Sequence, residues 1–152
     1  MQIFQYKIIH RTLPTNDLLH KYNIRDNPWC DNCPNVVDKI EHSFHSCPLI
    51  LKLWYDIAAW LSPEIDLYQF INIENILLGI YDRNKPLENT IILAIKRYCY
   101  ICKCNEQRVH LNGAKLFLSN VRNIECKFRV NAVRQYNEHK WLIIGNKILN
   151  SN

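Results

Sequence analysis

One short run of metal-binding side chains constrains the fold of this chain more than any other feature. Two cysteines stand three positions apart, a histidine follows, and a third cysteine comes five positions later: Cys30, Cys33, His42 and Cys47. Three thiolates and one imidazole are the ligand set of a closed, tetrahedral structural zinc site. The loop between them has little apolar content, so we expect zinc binding to contribute directly to its folding. The pattern predicts a CCHC zinc knuckle.

A second imidazole competes for the fourth ligand position. His45 stands only two residues before Cys47, which is a tight spacing for two ligands of one ion. The spacing therefore favours His42, with His45 as the alternative. The remaining interpretation is that these residues are ordinary buried thiols, because free cysteine often behaves as a small hydrophobe.

The later cysteines raise the question of a second metal site. Cys99, Cys102 and Cys104 lie close together, Cys126 follows, and His110 is an available imidazole. Two of these thiols fall inside an apolar stretch with helical periodicity, where cysteine is more often part of the core. We therefore favour a buried role over a second site.

Length and composition indicate a globular helical domain. The chain has 152 residues, 48% of them hydrophobic, and only three glycines. No apolar run approaches the roughly 20 residues that a membrane span needs, and the first residues do not resemble a signal peptide. We expect an intracellular location with no membrane partner. Seven cysteines cannot all pair within the chain, which fits metal-binding or free thiols in a reducing compartment.

Apolar periodicity predicts several helices. Spacings of three and four predict helices over 49–61 and from Pro86 to about Cys104. Residues 31–38 resemble a turn, and Asn112-Gly113 resembles a helix breaker or cap. A further apolar stripe predicts another helix: Phe117, Val121, Ile124, Phe128 and Ala132.

These elements predict an all-α fold with the knuckle inserted near the N-terminus and two long basic amphipathic helices at the C-terminus. We expect a zinc-binding region over 1–62 and a basic helical region over 63–152, packed together as one unit.

Positive charge is concentrated at the C-terminal end. Residues 91–152 carry eleven Lys and Arg against three Asp and Glu, whereas residues 1–60 carry six of each. Such asymmetry favours a polyanionic partner, RNA or single-stranded DNA, bound through its phosphates. A solvated basic face without a partner is the alternative. The predicted phosphate-binding residues are Lys96, Arg97, Lys103, Arg108, Lys115, Arg122, Lys127, Arg129 and Arg134.

Aromatic side chains offer a second means of binding nucleic acid, because unpaired bases stack on them. Trp54, Trp60, Tyr55 and Tyr98 stand at helical spacing, which is more typical of core residues. Trp29, beside a zinc ligand, is the one we expect to be exposed.

The chain resembles a known family at these residues. Residues 4–16 (FQYKIIHRTLPTN), the knuckle and Trp54 resemble the reverse-transcriptase zinc-binding domain, which lies downstream of the polymerase in LINE-type (non-LTR) retrotransposon proteins. Residues 93–100 and Lys140-Trp141 are similar to the helical tail of such elements. The resemblance implies that the four knuckle residues bind zinc. It also implies binding of the element's RNA or target DNA in support of reverse transcription, without catalysis.

Polymerase chemistry is not predicted for this chain. A polymerase holds two metal ions with a carboxylate cluster, and its family carries a Tyr-x-Asp-Asp turn that residues 81–84 (YDRN) do not match. We therefore expect a non-catalytic C-terminal module without a small-molecule substrate. The alternative is a structural module that docks on a polymerase domain. An exposed apolar patch around Trp54 and Trp60 would favour that alternative.

Overall fold

The computed structural model describes residues 2–127, 131–145 and 147. The elements are α1 (Gln2–Ile9), α2 (Asn16–Lys21), β1 (Trp29–Cys30), β2 (Cys33–Val37), a π-helix (His42–Ser46), α3 (Pro48–Leu61), a 3-10 turn (Tyr68–Phe70), α4 (Ile73–Leu78), α5 (Pro86–Cys104), α6 (Leu111–Cys126), α7 (Asn131–Trp141) and a second 3-10 turn (Leu142–Ile144).

Most of the described chain is helical, but the all-α prediction is imprecise. Part of the segment predicted as a turn over 31–38 belongs to β2. This strand pairs antiparallel with β1, and Cys30 lies opposite Cys33. Strands of two and five residues are too short for a period-two pattern to be visible in the sequence. The fold is therefore a helical domain that carries a small β-hairpin.

Helices α3 and α5 supply much of the core, and both agree with prediction. A proline begins each helix, as its fixed φ and missing amide hydrogen allow at a first helical position. Their apolar side chains recur every three or four residues and join one buried cluster. The fully or nearly buried members include Leu53, Trp54, Ile57, Leu61, Ile91, Ala94 and Ile95.

The region after α5 differs from prediction. Gly113 does not interrupt a helix but lies in the first turn of α6, capped by the side chain of His110. A Cβ at this glycine would lie 2.2 Å from the Tyr98 hydroxyl oxygen, so the missing side chain permits close packing of α5 on α6. The apolar stripe is also incomplete, since Val121 is buried whereas Ile124 is 66% exposed.

The predicted stripe does not lie on one helix, because α6 ends at Cys126. Phe128 and the side chain of Ala132 lie outside the described residues.

Contacts connect the two predicted regions. Lys96 of α5 donates to the Gln5 side chain of α1 at 2.6 Å, and Lys103 donates to Asp38 beside the hairpin. The boundary at residue 62 remains a prediction. Among the described helices, none is both long and apolar enough to cross a membrane.

Candidate metal centre and nucleic-acid interface

The β-hairpin positions the first two cysteines. Cys30 ends β1 and Cys33 begins β2, so they face each other as partners across a loop of two residues. The backbone amide of Asn32 donates to the Cys30 sulfur at 3.5 Å. Such a bond stabilises a thiolate, since donation to the charged form lowers its energy.

The π-helix positions the other two ligands. His42 begins it, and the Cys47 amide donates to the His42 carbonyl at 3.0 Å, closing a turn of five residues. Cys47 is then the N-cap of α3, whose Pro48 fixes the direction of the next turn. The Trp54 indole donates to the Phe44 carbonyl at 2.8 Å and holds the π-helix on α3.

Together these elements bring the four predicted ligands into one cluster. Their ligand atoms all lie within 4.8 Å of one another, and the Cys33 and Cys47 sulfurs are 3.7 Å apart. Two sulfurs that are each about 2.3 Å from a tetrahedral zinc ion lie about 3.8 Å apart. The Nε2 atom of His42 is buried without a hydrogen-bond partner, as an imidazole nitrogen that donates its lone pair to a metal requires. The cluster has the size and donor set of a zinc site.

The electrostatics of the cluster also fit a cation. Burial raises the pKa of Cys33 to about 12, because a buried thiolate loses its hydration, and the neighbouring sulfurs of Cys47 and Cys30 raise it further. A divalent ion in contact with the sulfur reverses this balance and favours the deprotonated form. Burial lowers the pKa of His42, which keeps its imidazole neutral and able to bind a metal.

The alternative ligands lie elsewhere. His45 is directed towards Ser46, with Nδ1 3.4 Å from the hydroxyl oxygen, and it is not part of the cluster. Cys99 and Cys102 are buried within α5. In the described part of the chain, the only group of three or more such side chains that could hold a metal ion is the knuckle cluster.

Asp38 connects the knuckle to the rest of the fold, a role that the sequence did not reveal. Its carboxylate is 2% exposed and accepts hydrogen bonds from the Asn16 amide at 3.0 Å, the Ser43 hydroxyl at 2.6 Å and the Lys103 ammonium. These donors come from α2, the π-helix and α5. One buried carboxylate therefore holds three elements around the metal centre.

Asn16 makes a second connection. It is 1% exposed, and its side-chain amide donates to the Trp29 carbonyl at 2.6 Å and to the Asp31 carboxylate at 3.3 Å. Its side-chain oxygen accepts from Arg25 at 3.0 Å, and Arg25 also pairs with Asp31. These hydrogen bonds fix the hairpin on α2.

The geometry defines a structural zinc-binding module: three cysteines and one histidine form a closed site for one zinc ion, held in a helical domain. The comparison with known families agrees. A family described as zinc-binding in reverse transcriptase matches residues 1–54, the span from α1 to the middle of α3. That domain is an accessory zinc-binding domain and not a catalytic one. No significant match was found among curated proteins or among solved structures.

The predicted phosphate-binding residues occupy very different environments. The prediction is wrong for Lys96, which is 1% exposed and donates to the Gln5 side chain at 2.6 Å and the Leu77 carbonyl at 3.1 Å. Its helix position faces α1 and α4 instead of solvent. Lys103 is also unsuited to phosphate contact, because its ammonium is bound by Asp38 and Ser43.

Three predicted residues are exposed and form no ion pair within the described part of the chain: Arg97, Arg108 and Lys127. Arg134 is exposed but pairs with Glu138 one helical turn away. Arg129 lies outside the described residues.

Two further predicted residues are half-buried on α6. Lys115 lies over the Trp60 ring, with Nζ 5.1 Å from its centroid, a cation–π contact. The Nε atom of Arg122 is buried without a hydrogen-bond partner. Both are less accessible to phosphate than the exposed cations.

Three of the five aromatic residues named above clearly follow their predicted division. Trp54 and Tyr98 are buried, and Trp29 is 40% exposed beside Cys30. Tyr55 is 48% exposed, so it departs from the core expectation.

Substitution of the buried Lys96 by methionine is expected to change the pH dependence of stability. Burial lowers the pKa of this ammonium from 10.5 to about 7. Between these values the unfolded chain holds a proton that the folded chain lacks, so stability rises with pH, by up to about 1.4 kcal/mol per unit. In Lys96→Met this contribution disappears, whereas every other titratable group is common to both proteins.

Urea unfolding of zinc-loaded protein from pH 6.5 to 8.5 measures the difference. The free energy of wild type minus that of Lys96→Met should increase steadily with pH. The Leu77 carbonyl keeps the Gln5 amide as a donor at 2.8 Å, so methionine leaves no unsatisfied backbone group there. A difference that is constant across this range would contradict the assignment.

Proposed function

We propose that the chain is a non-catalytic module that binds RNA or single-stranded DNA beside a LINE-type reverse transcriptase, with zinc as its scaffold. The observation that supports this most is a set of exposed cations that form no ion pair with any described residue: Arg97 on α5, Arg108 before α6 and Lys127 just after α6. Such side chains bind phosphates without sequence preference and release counterions on binding. The zinc site would order the surface and would not itself contact phosphate. The cell interior is the expected location.

Salt-dependent binding tests the proposal. We expect zinc-loaded protein to bind a fluorescein-labelled oligo(U) of about 16 nucleotides, with an affinity that falls as salt concentration rises. The slope of log affinity against log salt concentration should decrease in magnitude by about 0.7 for each phosphate contact that is removed. Arg108→Gln/Lys127→Gln should weaken binding and lower the slope in magnitude. Fluorescence anisotropy between low and moderate salt gives both quantities.

A matched control removes two charges elsewhere. Lys21 and Lys52 each pair with an aspartate on their own helix, outside the basic region, so Lys21→Gln/Lys52→Gln should change affinity little. If wild type does not bind, or if its binding is independent of salt, the proposal is wrong.

A second candidate is docking on a polymerase domain, and one observation favours it. Ile3, Tyr6 and Ile9 of α1 are 75%, 60% and 51% exposed, although the patch expected around Trp54 and Trp60 does not occur because Trp54 is buried. Exposed apolar clusters often contact another protein. Tyr6→Ser/Ile9→Ser should then abolish co-purification with a separately expressed LINE-type polymerase domain while leaving oligo(U) binding intact.

A further inference from the structure

A cleft between α1 and the C-terminal half of α5 combines positive charge with an apolar wall. Its volume is about 760 Å³, and Lys7 of α1 and Arg97 of α5 are its two cations. Among the residues that the structure describes, no aspartate or glutamate lines it. We propose that this cleft holds one or two unpaired nucleotides of a single strand, with their phosphates at Lys7 and Arg97. This inference rests on the proposed function and assigns a specific site to it.

The two cations are available for phosphate. Both side chains are exposed, and neither forms an ion pair with any described residue. The Arg97 guanidinium carbon lies 5.8 Å from the Phe4 ring centroid, a cation–π contact that orients the group without neutralising it. Lys103 in the same helix differs, because Asp38 occupies its ammonium. Lys7 was not among the residues predicted from the sequence, since it lies far from the basic C-terminal segment.

The wall of the cleft suits a planar base. Tyr100 is half-buried, its ring centroid is 5.7 Å from that of Phe4, and its hydroxyl donates to the Pro14 carbonyl at 3.4 Å. Both contacts hold the ring in place beside Ile3 and Leu13. A fixed aromatic ring at the edge of an apolar surface is the usual platform for base stacking. The amides of Gln2 and Asn105 line the same cleft and offer donors and acceptors to a base edge.

The cleft also continues towards the zinc centre. Pro14, Tyr100 and Cys104 line a second cleft of about 740 Å³ that reaches Cys30 of the knuckle and Arg108 after α5. A strand that leaves the first cleft would therefore reach Arg108. The carboxylates of Asp31 and Asp38 in this second cleft are paired with Arg25 and Lys103, and Glu106 is a third acidic group there. Bases within a duplex keep their faces stacked on neighbours, so only an unpaired strand can use the aromatic wall. The geometry thus favours single-stranded over double-stranded nucleic acid.

Paired substitutions test this site with oligo(dT) of about 12 nucleotides, a length that spans a typical single-strand site. Lys7→Gln/Arg97→Gln is expected to weaken binding about tenfold and to lower the salt slope by about 1.4, because each single-strand phosphate contact contributes about 0.7. Tyr100→Leu should weaken binding about tenfold with an unchanged slope. The control Lys52→Gln/Arg83→Gln removes one lysine and one arginine outside the cleft and should change affinity less than twofold.

The outcomes separate this site from the general proposal. Each variant is first checked for one bound zinc ion and a wild-type circular dichroism spectrum. Binding that depends on Arg108 and Lys127 but not on Lys7 and Arg97 would overturn the cleft and leave the proposed function intact. Absence of binding by wild type would overturn both. If the cleft variants lost as much affinity for a duplex of the same length as for oligo(dT), the single-strand assignment would be overturned.

Discussion

Cys33→Ser is expected to abolish stoichiometric zinc binding and to unfold the segment from β1 to the start of α3. Serine keeps the size of the side chain but removes the thiolate, which is one of four ligands within 4.8 Å of one another. Structural zinc contributes about 10–16 kcal/mol of apparent binding energy in small zinc domains at neutral pH. The knuckle has two short strands and little apolar content to replace that contribution. Metal analysis and hydrogen exchange together measure both losses.

A second ligand and two residues outside the cluster provide comparisons for Cys33→Ser. His42→Ala should lose zinc as Cys33→Ser does, because its Nε2 atom is buried without another partner. His45→Ala should retain one zinc ion, and so should Cys104→Ser, since neither residue belongs to the cluster. Retention of full zinc by His42→Ala would show that the ligand assignment is wrong.

Local spacing explains why the metal centre and the main helices could be predicted. The ligands lie within eighteen consecutive residues, so the pattern of donors is visible without knowledge of long-range contacts. Helix α5 begins at a proline and carries an apolar face of regular period, and its bounds Pro86–Cys104 agree with the prediction. The hairpin could not be predicted from the sequence, because β1 has only two residues. The two strands are paired where the zinc ligands Cys30 and Cys33 lie opposite each other.

The environment of each charge could not be predicted in the same way. Lys96 and Arg97 are neighbours in sequence, yet one is buried against α1 and α4 and the other is exposed. Successive residues on a helix point about 100° apart, so which one faces the core depends on where α1 packs. Asp38 is similar: an aspartate in a loop is usually solvated, and its burial depends on donors that come from 22 residues earlier and 65 residues later.

Asp38→Ala is expected to destabilise the zinc-loaded protein by about 3–5 kcal/mol, the usual cost of removing one partner of a buried ion pair. Three donors lose their acceptor at once: the Asn16 amide, the Ser43 hydroxyl and the Lys103 ammonium. The Asn16 amide is the most severe loss, because its residue is 1% exposed and an unsatisfied buried amide costs about 1–3 kcal/mol. Urea unfolding in the presence of excess zinc measures the change.

A double-mutant cycle separates the ion pair from the two neutral hydrogen bonds. Lys103→Met removes only the ammonium, so Asp38→Ala in that background should cost less than in wild type, the difference being the coupling between the two charges. Asp56→Ala is the matched control, since its pair with Lys52 is exposed and such pairs contribute about 0–1 kcal/mol. A loss at Asp38 no larger than that at Asp56 would mean that the carboxylate does not connect α2, the π-helix and α5. The stability of the metal centre would then depend on zinc and the α3 contacts alone.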